Sequence, residues 1–357
     1  MRRFFAVVCL VFCINDLWAV NADTITQHVI GFSKYLQLYA KLGSPFSEVE
    51  IESPKIDESL LFKPNPQSQL GFGFSYSWFG MGINFSLPAE SWSNRKYGKT
   101  RKFDFEAHIT TQRFMVDLIH KCYKGFYFSN AGDYIDDWHR GDPYPQIPNL
   151  QTRSTSISFA YIFNPHKYSS NAAYSFSQAM RKSGGSWLAG AYCSFNGIDS
   201  DSSIVPSVVK VYIDPQLDLK NVVFSDIGVS FGYSHLFTIW RKYFVAFTFM
   251  PGVSLQNIAQ QSSVNSDVEK YNALSMRSVL RFSLGKNGDR FYWGVSTYLE
   301  SVFIQHYKSE LSLKSGHAEF FLGYRFDTSH WQIMKRIDRI MHPSFMRFIT
   351  GEPPRRD

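Results

Sequence analysis

Residues Gln69 to Pro88 read Gln-Leu-Gly-Phe-Gly-Phe-Ser-Tyr-Ser-Trp-Phe-Gly-Met-Gly-Ile-Asn-Phe-Ser-Leu-Pro. Leu70, Phe72, Phe74, Tyr76 and Trp78 take alternate places, with Gly71, Gly73, Ser75 and Ser77 between them. After Phe79 the alternation resumes, with Met81, Ile83, Phe85 and Leu87 against Gly80, Gly82, Asn84 and Ser86. A strand turns successive side chains to opposite faces, so this period of two predicts two strands joined by a tight turn. One face of the hairpin is large and apolar, the other small and polar. Such an apolar face packs on a second sheet in a soluble sandwich, or meets lipid in a membrane barrel.

The pattern recurs along the chain. Phe103, Phe105, Ala107 and Ile109 oppose Lys102, Asp104, Glu106 and His108, and in the next segment Phe114, Val116 and Leu118 oppose Asp117. Ile157, Phe159 and Tyr161 alternate with serines, and Ile227, Val229, Phe231 and Tyr233 alternate with Asp226, Gly228, Ser230 and Gly232. Arg277 and Arg281 lie on the minority face of a strand from Ala273 to Leu284; Glu300, Glu319 and Arg325 lie on the two strands that follow. Further strands are expected over Lys34–Leu42, Ala172–Met180, Trp187–Phe195 and Tyr243–Phe249, and a loop over 43–65. That makes 13, whereas single-chain bacterial barrels are even-stranded, with short turns at one end and long loops at the other. A strand over Ser207–Ile213 restores that rhythm and brings the number to 14. Omitting it together with Lys34–Leu42 gives 12. The expected fold is all-β, an antiparallel transmembrane β-barrel of about 14 strands, with 12 as the alternative. Phe72, Phe85, Phe103, Phe159, Val229 and Leu322 belong to its outward set.

The N-terminus supports export. Arg2 and Arg3 precede an apolar run from Phe4 to Ile14, and Val20-Asn21-Ala22 is a small-residue cleavage site. Residues 1–22 are expected to be a signal peptide, 23–327 the barrel and 328–357 a periplasmic tail. That run is too short for a transmembrane helix, and no later stretch reaches the roughly 18 apolar residues a helical span requires. Aromatic residues make up 17% of the chain, and the mean hydropathy is −0.21. That combination suits a barrel whose inward half is polar. The net charge of +7 falls to +6 once Arg2, Arg3 and Asp16 leave. The charges are scattered, with no basic stripe to track nucleic acid. Cys122 and Cys193 stay in the mature chain, three strands apart in this scheme and too distant to bridge, so two free thiols are expected. In the tail, Trp331, Met334, Asp338 and Met341 fall at helical spacing among Lys335, Arg336 and Arg339. This predicts a short amphipathic helix that lies on the inner interface, plugs the barrel mouth or extends freely into the periplasm.

Several pieces occur in a telling order: Lys63-Pro64-Asn65 before Leu70-Gly71-Phe72-Gly73-Phe74, then Lys124-Gly125-Phe126-Tyr127, Tyr161-Ile162-Phe163-Asn164, Arg181-Lys182-Ser183-Gly184-Gly185-Ser186-Trp187 and Gly232-Tyr233. With these pieces the chain resembles an uncharacterised family of outer-membrane-type β-barrel proteins exported by Gram-negative bacteria, known as a domain of unknown function. The resemblance implies a barrel in the outer membrane, and supplies no substrate or catalytic residue. The tail beyond Phe326 departs from barrels that end on an aromatic final strand.

Asp104, Glu106, His108, Asp117, Asp226, Arg277, Arg281, Glu300, Glu319 and Arg325 are the candidate lumen-lining residues. Carboxylates beside histidine can do acid–base work, but inward polar residues are also what a barrel requires. The loop Asp133-Tyr-Ile-Asp-Asp-Trp-His139 gathers three carboxylates and an imidazole without an EF-hand pattern, and reads as solvated. His120 and His235 lack a neighbouring serine signature, and His317 reads as a strand-end histidine. There is no phosphate-binding glycine loop and no Cys-x-x-Cys pair. No cofactor, metal or catalytic residue is therefore expected. The expected role is a passive channel or an envelope-structural component, not an enzyme. The expected partners are outer-membrane lipid, the barrel-insertion machinery and a small polar solute. The alternatives are a secreted or periplasmic soluble β-sheet binding protein and a barrel enzyme acting on lipid.

Overall fold

The computed structural model describes residues 23–24, 28–32, 34–52, 59–212, 218–240, 242–263, 267–306 and 309–341. The expected signal peptide and the tail beyond residue 341 lie outside the described residues. Two short strands, β1 (Asp23–Thr24) and β2 (Val29–Gly31), precede β3 (Tyr35–Glu52). Next come β4 (Leu60–Pro64), β5 (Gln69–Tyr76), β6 (Phe79–Ser86), helix α1 (Ser91–Tyr97), β7 (Arg101–Thr110), β8 (Phe114–Phe128) and β9 (Gln146–Ile162). The short β10 (Gln178–Met180) interrupts the crossing to β11 (Gly184–Asp199). Five long strands complete the fold: β12 (Leu219–Ile239), β13 (Tyr243–Ser262), β14 (Val268–Asn287), β15 (Phe291–His306) and β16 (Ser309–Asp327). Helix α2 (Gln332–Met341) covers the expected amphipathic segment.

The opening hairpin forms as the alternation requires, with Tyr76 facing Phe79 across a two-residue turn. The turn falls at Ser77–Trp78, slightly before the place where the apolar alternation breaks, because Ser77 takes the left-handed conformation (φ 54°) that such a turn uses. From there β3, β5, β6, β7, β8, β9, β11, β12, β13, β14, β15 and β16 pair antiparallel in that order. β16 returns to β3 from Glu310 opposite Glu52 down to Asp327 opposite Tyr35, which closes the ring.

The ring thus contains 12 strands, not 14. Lys34–Leu42 belongs to it within β3, which runs on to Glu52 through part of the expected loop. Two other expected strands do not. Residues Asn171–Ser175 form one π-helical turn that continues into β10, and β10 pairs with β2 away from the barrel wall. The alternating Tyr174 and Phe176 of this stretch turn into the ring, where they meet Thr248, Tyr292 and Phe321. Ser207–Tyr212 is a 3-10 helix whose Val209 is buried, so a β-branched run that reads as a strand is used as a lid; Ile213 lies outside the described residues. With β10 out of the wall, Cys122 on β8 and Cys193 on β11 stand two strands apart instead of three, and both are free.

The outside of the ring carries a belt of large apolar side chains, with Phe72 52%, Val229 61% and Leu274 72% exposed. A sandwich would bury this face under a second sheet; here only lipid can cover it. The interior is layered along the axis. At the terminal end, where the first and last strands of the ring begin and finish, Met115, Ile162, Ala173, Phe176, Phe244 and Phe321 form one apolar cluster. At the far, distal end Val49, Leu60, Phe62, Phe128, Ile204, Val209 and Phe224 form another. There β4 replaces β5–β7 between β3 and β8, through the pairs Val49–Phe62 and Phe62–Phe128.

Candidate functional site: a polar chamber inside the ring

Between the two apolar clusters the inward positions are polar, and glycines shape the wall. A Cβ at Gly73 would strike the Tyr39 ring, and one at Gly80 would strike the His108 imidazole. The Gly and Ser faces of β5 and β6 therefore do not widen an open lumen. They let Tyr39, Glu106 and His108 of the neighbouring strands lie flat across them. Tyr39 completes this by donating its hydroxyl to the Met81 carbonyl at 3.2 Å.

The charges of the chamber neutralise one another across the ring. Arg281 on β14 reaches Asp117 on β8 at 2.7 Å, joining strands 164 residues apart in sequence. Arg277 donates through Nε to Glu300 at 2.6 Å, and Tyr298 also donates to Glu300, at 3.0 Å. Lys41 pairs with Glu106 and, at 3.1 Å, with Glu319; Ser296 adds a bond to Glu319 at 3.1 Å. His317 stands 3.8 Å from Glu319 and stacks on Tyr298. Asp104 accepts from Tyr123 at 2.6 Å. Asp226 accepts from neutral donors, Ser194 and Gln256, each at 2.7 Å. Aromatic faces hold the cations: Arg277 lies 4.3 Å from the Tyr192 ring centre, and Arg281 5.3 Å from that of Tyr298. Such pairs are worth most where water is scarce.

These groups surround a cavity of about 130 Å³ lined by Tyr39, Lys41, Glu106, His108, Asp117, Tyr174, Arg281, Tyr298, His317 and Glu319. A cavity needs only about 10–15 Å³ to hold a water, so this one has room for several waters or one small polar molecule. The His108 Nε2 has no hydrogen-bond partner and borders this space.

Of the ten sequence-selected residues, Asp104, Glu106, His108, Asp117, Arg277, Arg281, Glu300 and Glu319 gather in or beside the chamber, and Asp226 sits behind Arg277. Arg325 does not join them. Only 1% exposed at the terminal end, it donates to the Phe176 and Gly288 carbonyls and, at 2.6 Å, to the Asn287 side chain, with its guanidinium 4.0 Å from the Phe32 ring centre. It thereby clamps the segment that enters the ring between β9 and β11. Phe176 of that segment stacks on Phe321 at 4.4 Å and Tyr292 at 5.1 Å, and Tyr174 bonds Thr248 at 2.7 Å. β10 is held by β2, with Ala179 opposite Ile30.

Sequence reasoning missed Lys41, Tyr39, Tyr298 and Lys121, the last of which donates to Ser315 at 3.2 Å and lies 5.5 Å from the Tyr298 ring centre. The alternation of Gln37, Tyr39 and Lys41 against Leu36, Leu38 and Leu42 was a signal for the first two. His317 lies within β16 and faces the chamber, so it is no strand-end residue. On the outer surface His120 bonds Thr155 at 2.8 Å and His235 bonds Tyr233 at 3.0 Å. Asp136 and Asp137 of the 133–139 loop are exposed, and no cluster of three metal-ligating side chains occurs among the described residues.

A twelve-stranded ring with an apolar exterior and a charge-paired interior is a transmembrane β-barrel of the outer-membrane type. The chain belongs to the family described as Domain of unknown function (DUF4421), which matches residues 23–326. No curated protein matches it. Among solved structures it is similar to the outer membrane protease OmpT of Escherichia coli, at 7% identity and TM-score 0.39 over 86% of this chain and 99% of that one. It is also similar to the translocator domain of the autotransporter NalP from Neisseria meningitidis, at 10% identity and TM-score 0.32 over 91% and 94%. The toluene transporter TodX of P. putida is a third, at 9% identity and TM-score 0.24 over 83% and 91%. At these values the likenesses carry no information about what this chain binds or does.

Proposed function

We propose that this protein resides in the outer membrane of a Gram-negative cell as a barrel that is closed at rest and passes a small polar solute when its two apolar seals move. The terminal end faces the periplasm in this reading, because the short connections 77–78, 111–113 and 288–290 lie there. The observation that carries the reading is the chamber itself, a charge-lined space between two apolar clusters. Filling a lumen with charges is no cheaper than filling it with apolar side chains, so a barrel serving only as scaffold has no need of one. An open passive pore is disfavoured by the same layering. An envelope-structural role is the second reading, and the double closure favours it.

No enzymatic role is proposed: Lys41, Arg277 and Arg281 are paired with Glu106, Glu319, Glu300 and Asp117, and the two outward histidines bond a threonine and a tyrosine. The test is conductance in a planar bilayer. The wild-type barrel should be silent. So should the Ile30→Cys/Ala179→Cys variant once oxidised, which ties β2 to β10. Removing residues 171–177 together with 201–212 should give discrete conductance. Silence in that doubly opened variant would leave the structural role, and steady conductance in wild type would restore the passive pore. Lipid hydrolysis by a non-conducting barrel would point to the enzyme.

A further inference from the structure

We propose that the outer face of the barrel carries a binding site for a phosphate-bearing glycolipid of the surrounding leaflet, formed by Arg101, Lys124 and Arg153 at the distal ends of β7, β8 and β9. It rests on the outer-membrane reading above. Arg101 stands directly opposite Lys124, Lys124 opposite Gln151, and Arg153 two residues beyond Gln151. All three alternate in phase with the lipid-facing set and are exposed. Cross-strand geometry places the first two Cβ atoms about 5 Å apart, and the diagonal third within about 8 Å of Lys124.

Like charges directly opposite one another destabilise a sheet, and nothing in the described contacts neutralises these. Arg153 donates to the Gln151 side-chain carbonyl at 3.2 Å. No ion pair joins Arg101, Lys124 or Arg153 to a carboxylate among the described residues. The outward carboxylate nearest in register is Asp199, opposite Gln151, which accepts from Asn221 at 2.7 Å. The neighbouring sector of β16, β3 and β4 is built differently: Glu48 meets Lys63 at 2.8 Å, and Glu50 meets Lys314. Three outward cations adjacent in register and without an ion pair among the described residues thus set this sector apart from that one.

Its depth fits a headgroup. Two residues below Arg101, Phe103 is 41% exposed, and four below Arg153, Ile157 is 52% exposed. Acyl chains would lie on those side chains while the cations reach up to phosphate. Guanidinium and ammonium groups bind phosphate oxygens through charge-assisted bonds, and cations at a membrane surface favour anionic lipid. Three cations on adjacent strands suit a headgroup carrying two phosphates better than a single small anion.

The test titrates the full-length barrel in zwitterionic detergent with bis-phosphorylated lipid A, with its dephosphorylated form and with inorganic phosphate. The readout is the temperature at which the fast-migrating unboiled form disappears. Lipid A should raise that temperature, and the other two should not. In the triple variant Arg101→Gln/Lys124→Gln/Arg153→Gln the half-saturating lipid A concentration should rise at least tenfold, with the unliganded midpoint unchanged or higher. An unchanged titration overturns the site, and an equal response to inorganic phosphate overturns the lipid as its occupant. Should the triple variant not fold, native mass spectrometry of Lys124→Gln decides: glycolipid that co-purifies with wild type should be depleted, and retention in full overturns the proposal. A chain recovered from the soluble periplasm would sink the outer-membrane reading itself, whereas an inserted barrel with an unchanged titration sinks only the site.

Discussion

Gly73 and Tyr39 illustrate how single residues set the interior. The glycine is what the ring of Tyr39 rests on, and the ring in turn bonds the Met81 carbonyl. Gly73→Ala should displace the tyrosine and cost roughly 1–3 kcal/mol, as overpacking of a filled core does. The loss should appear as a lower midpoint for the unboiled gel form, and Tyr39→Ala in the same chain should recover part of it. The Arg281–Asp117 pair makes a second prediction. Removing one member of a largely buried ion pair costs about 3–5 kcal/mol, and with the partners 18% and 16% exposed the lower end applies. Arg281→Gln should therefore destabilise by about 3 kcal/mol, and Arg281→Gln/Asp117→Asn by much less. A single variant as stable as wild type would show that the pair does not hold the chamber together.

The elements divide between those that local pattern decides and those that long-range packing decides. The hairpin β5–β6 and strands β7, β9 and β12 were legible because alternation persists for eight residues or more. The stretch Ala172–Met180 has the same alternation on paper, yet its aromatic residues Tyr174 and Phe176 meet Thr248, Tyr292 and Phe321 inside the ring. Nothing local distinguishes an apolar row that will face lipid from one that will face a lumen. The lid at 204–212 depends on Asp218, which accepts from Lys210 at 2.7 Å and from Ser203. Burial tends to raise the Asp218 carboxyl, but these donors outweigh it and hold its pKa below the usual 3.8. A depressed folded value means stabilisation that is complete above the unfolded pKa and disappears as pH falls through the folded one. Protease cleavage of the 201–212 segment should accordingly rise below about pH 3.8, and Asp218→Asn should be cleaved readily at neutral pH. Equal resistance at both pH values would remove Asp218 from the lid.

At the scale of the whole molecule, the belt and the closed ring predict an integral membrane protein that migrates faster unboiled than boiled and stays with the membrane through a salt wash. Recovery in the soluble fraction without detergent would overturn this. With 12 strands the chain returns to its starting end, where Thr328 bonds the Lys34 carbonyl at 2.7 Å. Protease added to intact cells should therefore spare helix α2, and its cleavage from outside would reverse the orientation. The sequence by itself determined the all-β class, the lipid-facing set, the inward polar set and the amphipathic helix. Each of these follows from a periodicity of two or of 3.6 that needs no knowledge of distant residues. Only the tertiary structure decided that there are 12 strands, that one segment enters the ring, and that the lumen charges are paired. Arg281 and Asp117 meet across 164 residues of chain, and Arg325 grips Phe176 across 149. Ring closure alone sets which inward side chains face each other, because it depends on the register of every strand between them.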